Sequence, residues 1–93
     1  MTAKVISDVR ELGRGKHYVV SHHAANELDD DGLTIFDLEC IVLTGKITHR
    51  QRDQNTHEIK YIISGDSLDG FPAEVVVKIG ATGKLIFITV YLV

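Results

Sequence analysis

Ninety-three residues, 44% of them hydrophobic and only one a proline, bound one domain with a single core. The longest apolar run is too short to cross a bilayer as a helix, and with neither a basic n-region nor a continuous apolar h-region at the N-terminus no secretion signal is expected. Cys40 is the only cysteine, so the expectation is a cytoplasmic protein with no membrane association and no internal disulfide.

The net charge of -3 argues against a generic nucleic-acid binder, which needs clustered cations, but the charge is unevenly spread. Glu27 to Glu39 holds six acids and no base, whereas Lys46 to Lys60 carries Lys46, Arg50, Arg52 and Lys60 against only Asp53 and Glu58.

In chain order, Ala3 to Leu12 places Val5, Ile6, Val9 and Leu12 at helical spacing, with Thr2 as a cap and Gly13, Arg14 and Gly15 as the stop. His17 to Val20 reads as a short extended segment. Ser21 can cap a helix from His22 to Asp30, predicted to bury Ala25 and Leu28 and to expose Asn26, Glu27, Asp29 and Asp30. After a break at Asp31 and Gly32, Thr34 and Asp37 form a capping box that opens a third helix. Its buried stripe is Ile35, Leu38, Ile41 and Val42, and Gly45 ends it.

From there the pattern is sheet. Lys46 to Arg52 alternates weakly, with Lys46, Thr48, Arg50 and Arg52 on one face and Ile47, His49 and Gln51 on the other, which suits a strand near an edge. Glu58 to Ser64 and Phe71 to Ile79 are further strands, and Ala81 to Gly83 turns into the last one, Lys84 to Val93. That final run is almost wholly apolar and belongs inside the sheet, covered on both faces. Alternation puts Leu85, Phe87, Thr89 and Tyr91 on one face, and Ile86, Ile88, Val90 and Leu92 on the other, beneath the helices. The expected architecture is α+β: N-terminal helices on one face of a four-stranded, mainly antiparallel meander.

Few side chains are placed for chemistry. His22 and His23 are adjacent and diverge on a helix, and Cys40 lacks a partner at ligand spacing, so no metal site is expected. Cys40 also has no basic neighbour to activate it as a nucleophile. His23, in a helix first turn, is either a candidate acid or base or a helix-start side chain bonded to backbone. Thr89 and Tyr91 are polar where a packed strand would continue with aliphatics. They are either functional or an ordinary strand end with wetted hydroxyls. Lys46, Arg50 and Arg52 can hold phosphate or simply form a solvated edge.

The order of these elements carries a resemblance. Val20-Ser-His-His-Ala24, Asp31-Gly-Leu-Thr34, Asp37-Leu38, Gly45-Lys-Ile47 and a closing Ile88-Thr-Val-Tyr91 together resemble the small prokaryotic domain-of-unknown-function family 4258. That family is grouped with RelE- and MqsR-like toxins of the barnase, EndoU, colicin and RelE superfold. The resemblance implies a RelE-like fold and a toxin-like, metal-independent endoribonuclease of the mRNA interferase type. It further implies RNA as substrate, an antitoxin-like protein partner and no cofactor.

In that chemistry a base takes the ribose 2′-hydroxyl proton, cations stabilise the phosphorane-like transition state, and an acid protonates the leaving oxygen. By the resemblance His23 would be the base or acid, and Thr89 and Tyr91 would bind phosphate or stack on a base. The family motif does not fix the phosphate clamps; face alternation places Lys46, Arg50 and Arg52 in that role.

Members often carry arginine four residues after the His and again before the Gly, where this chain has Glu27 and Asp31, both charge reversals. The competing reading is therefore a catalytically degenerate protein-binding or regulatory module on the same fold. A homodimer formed through an exposed edge strand, Glu58 to Ser64, is a third.

Overall fold

The computed structural model describes residues 6–11, 15 and 17–93. Residues 6–11 are helical (α1). They are followed by β1 (Tyr18–Val20), α2 (His22–Asp31), α3 (Ile35–Thr44), β2 (Lys46–Arg52), β3 (Ile59–Asp66), β4 (Pro72–Ile79) and β5 (Leu85–Leu92). The cap expected at Thr2 and the stop at Gly13 and Arg14 lie outside the described residues. The Gly15 N–H does close on the Glu11 carbonyl at 2.9 Å.

Local capping sets the two longer helices. The Ser21 hydroxyl accepts the Ala24 N–H at 3.1 Å, and α2 ends at Gly32 in the left-handed region, φ 68°. At the start of α3, Asp37 accepts the Thr34 N–H at 2.8 Å, completing the capping box. The buried side chains differ from expectation by a turn or less. In α2 they are Ala24 and Leu28, while Glu27 is half-buried; in α3 they are Asp37, Leu38, Ile41 and Val42, while Ile35 stays exposed.

The sheet has five strands in the order β1-β5-β4-β3-β2, with four antiparallel strands and β1 parallel to β5. The expected four-stranded sheet is corrected here: the extended piece after His17 is a fifth strand, with Tyr18, Val19 and Val20 opposite Leu85, Ile86 and Phe87. The apolar β5 is inner, as its composition demands, and β2 is an edge. β3 lies between β2 and β4, so an exposed edge at Glu58 to Ser64 does not exist for pairing with a second copy.

Two bulges reset the faces that strict alternation assigns. In β5 the register passes from Phe87↔Val77 to Thr89↔Val76, leaving Ile88 as the extra residue. Leu85 and Phe87 therefore point into the core with Val90, where alternation had expected Ile86 and Ile88 beneath the helices, and Thr89 and Tyr91 lie on the opposite, open face without Phe87. In β2 the register passes from Ile47↔Ile63 to His49↔Ile62, with Thr48 as the extra residue and its hydroxyl bonded to the Ile62 carbonyl at 3.3 Å. Lys46 thus shares a face with His49 and Gln51, whereas Arg50 and Arg52 share one with Ile47. Both corrections have one cause: a single inserted residue inverts every side chain beyond it.

The core lies between this sheet and the helices. It holds Val9, Ala24, Leu28, Leu38, Ile41 and Val42 from the helices, and Ile63, Val75, Val77, Leu85, Phe87 and Val90 from the strands. α3 crosses β3 at Gly45 and Gly65, where a Cβ on either glycine would collide with the Ile41 carbonyl. A glycine before the first long strand is therefore a packing requirement, set by backbone meeting backbone.

Candidate functional site at the end of the last strand

β1 ends at Val20, and α2 then lies along the part of β5 that β1 leaves uncovered. The Ser21 N–H donates to the Phe87 carbonyl at 3.0 Å, and its hydroxyl to the Ile88 carbonyl at 3.0 Å. One helical stretch further on, Glu27 Oε1 accepts the Val90 N–H at 3.0 Å. Side chains of the helix thus complete a strand edge that would otherwise present unpaired backbone groups.

This arrangement delivers His23 and Tyr91 to one end of β5. His23 is exposed, and its Nε2 lies 3.3 Å from the same Glu27 Oε1 that holds Val90. Tyr91, on the open face, donates its hydroxyl to Glu74 Oε1 at 2.6 Å across the β4–β5 pair. The Tyr91 pKa is raised, chiefly by that bond to Glu74, then by burial and by the negative charge of Glu74 and Glu27. Thr89 stands on the same face, opposite Val76.

The expected phosphate clamp is not assembled here. On the open face the row Lys46, Ser64, Glu74 and Tyr91 runs across four strands, so Lys46 shares Tyr91's face and level. β2 and β5 are separated by three strand spacings, about 14 Å. Arg50 is level with Tyr61, Val77 and Phe87, about 10 Å further along the strands, and it faces the other way. Arg52 is further still, opposite Ile59.

Two acids that the sequence reading left outside the site, Glu27 and Glu74, are the groups that touch its expected catalytic side chains. The i,i+4 spacing of His23 and Glu27 was a visible signal. Glu74 had none, because only strand register brings it opposite Tyr91. Among the described residues no set of three His, Cys, Asp or Glu side chains could hold a metal ion, and no helix is long and apolar enough to cross a membrane.

Comparison with known families settles what the motif order suggested: the family described as Domain of unknown function (DUF4258) matches residues 20–92. The chain belongs to the DUF4258 family. No curated protein and no solved structure matches it. The matched span of this DUF4258 domain begins at Val20 and takes in α2, α3 and the four long strands. It therefore includes both the edge-capping helix and the Tyr91 end of β5.

Proposed function

We propose that this DUF4258 domain is a protein-binding or regulatory module on a toxin-like α+β fold, and that it does not cleave RNA by itself. One observation carries the reading. The two side chains placed to move protons, His23 and Tyr91, each contact a carboxylate, Glu27 and Glu74, while Arg50 and Arg52 stand on the opposite face of the sheet. Phosphodiester cleavage builds negative charge in its transition state and needs donors or cations aimed at it. Carboxylates in that position oppose such charge by a few kcal/mol in a partly screened site.

A second reading, the metal-independent endoribonuclease of a toxin-antitoxin pair, keeps one observation in its favour. Glu27 and His23 supply a carboxylate and an imidazole at the same end of β5 as Tyr91, and a base and an acid are the minimum that RNA cleavage requires.

The test is cleavage of a mixed-sequence RNA in EDTA, with and without translating ribosomes, by the wild type, His23→Ala and Tyr91→Phe. The expected result is the same background in all three. Cutting by the wild type that disappears in either folded variant would establish the endoribonuclease instead.

A further inference from the structure

The end of the molecule that carries Tyr91 also carries most of the exposed large apolar side chains among the described residues. Phe36 at the start of α3 is 55% exposed, Leu68 and Phe71 in the β3–β4 connection are 62% and 60% exposed, and Val93 is 75% exposed. Hydrogen bonds bring their stretches of chain together. The Leu68 N–H donates to Asp37 Oδ1 at 3.0 Å, next to Phe36, and the Val93 N–H donates to the Pro72 carbonyl at 3.0 Å, next to Phe71.

The connection is itself held in shape: the Ser67 N–H bonds the Phe71 carbonyl at 2.9 Å, and the Phe71 N–H bonds the Ser67 hydroxyl at 3.1 Å. Leu68 and Phe71 are thus displayed on an ordered loop. Apolar side chains grouped in this way on a small domain mark an interaction surface.

The charge around the patch identifies the occupant. Asp31, at the end of α2, and Asp66 and Asp69, flanking Leu68, are all exposed. The cations Arg50 and Arg52 lie toward the other end of the strands, which leaves Lys46 on edge strand β2 against these three aspartates. We propose that this surface docks a basic, amphipathic segment of a partner protein, its apolar side chains on Phe36, Leu68 and Phe71 and its lysines or arginines against the aspartates.

This rests on the binding-module reading and names the partner chemistry. RNA does not suit the surface, because the aspartates repel phosphate. A second copy suits it poorly: the basic strand β2 has no exposed large apolar residue to offer as an anchor.

The probe is a synthetic amphipathic helical peptide with leucines on one face and lysines on the other, compared with the same peptide carrying glutamate for lysine. Binding is read by fluorescence anisotropy and by amide shift mapping. The lysine peptide is expected to bind more tightly, to shift residues around Phe36, Leu68, Phe71 and Val93, and to weaken as salt rises. The exposed double variant Leu68→Ser/Phe71→Ser should lose about thirtyfold in affinity, the size of a hot-spot truncation. Asp31→Lys/Asp69→Lys should lose a similar factor, with thermal unfolding confirming that both variants fold.

Absent binding, equal affinity for the two peptides, or shifts confined to another surface would overturn the proposal. So would a dimer in sedimentation that Leu68→Ser/Phe71→Ser dissolves, which would assign the patch to a second copy. The same variants enter the RNA-cleavage assay. Cleavage dependent on His23 defeats the binding-module reading whatever the peptide does, whereas peptide failure without cleavage defeats only the surface.

Discussion

Glu27 accepts the Val90 N–H from a helix that stands in for a missing strand, so its carboxylate belongs first to the sheet edge and only second to His23. Removing the acceptor leaves a partly buried N–H unpaired. Glu27→Ala is expected to cost about 1–3 kcal/mol, and Glu27→Gln, which keeps an acceptor oxygen, much less. Glu27→Arg, the residue that the family resemblance leads one to expect, should behave like the alanine variant. Urea denaturation of the three checks this; an unaffected Glu27→Ala would mean that Val90 finds another partner.

Asp37 is another carboxylate with a structural duty. Burial favours its neutral form, but the N–H groups of Leu68 and Thr34 and the Thr34 hydroxyl outweigh burial and lower its pKa. A carboxyl depressed by folding stabilises fully above its unfolded value, near pH 4, and the contribution is lost as pH falls through the folded value. Asp37→Asn should therefore lower stability at pH 7 and flatten the acid limb of the stability profile. A profile parallel to that of the wild type below pH 4 would contradict this.

Strand β5 shows where reading elements from sequence stops. Both helix caps were legible because a cap is settled within four residues: Ser21 with Ala24, Thr34 with Asp37. The inner position of β5 was legible from its apolar content. The pairing of β1 was not, because three residues carry little pattern and a parallel partner lies more than sixty positions away. Nor were the bulges at Thr48 and Ile88, since an extra residue leaves no mark in composition yet inverts everything after it. Those two insertions explain why Thr89 and Tyr91 were assigned to the face of Phe87, and Arg50 to that of Lys46. A reciprocal pair of substitutions tests the corrected faces. Val90→Thr buries a hydroxyl in the core and should cost about 1–3 kcal/mol, whereas Thr89→Val on the open face should change stability by less than about 0.5 kcal/mol. Chemical denaturation giving the reverse order would put Thr89 on Phe87's buried face and remove the bulge.

Among the described residues the acids Asp31, Asp66, Asp69 and Glu74 gather at the end where β3 and β5 finish, with Lys46 as a cation there, and Arg50, Arg52 and Lys60 lie toward the end where they begin, beside Asp53 and Glu58. The basic ridge seen in the sequence is therefore divided: Lys46 stands on Tyr91's face and level, while the Arg50 and Arg52 ridge lies on the other face, separated from His23 and Tyr91, and that separation has a measurable consequence. Whatever affinity the domain retains for single-stranded RNA should come from the ridge alone, be weak, and fall steeply as salt rises, because it consists of phosphate contacts without base readout. Arg50→Glu/Arg52→Glu should abolish it, while His23→Ala and Tyr91→Phe should leave it unchanged in a filter-binding titration at low and moderate salt. If the Tyr91 variant weakened RNA as much as the arginine pair did, one RNA strand would have to span both faces of the sheet. In that case the ridge and the β5 site would form a single surface, and the separation on which the binding-module reading depends would be lost.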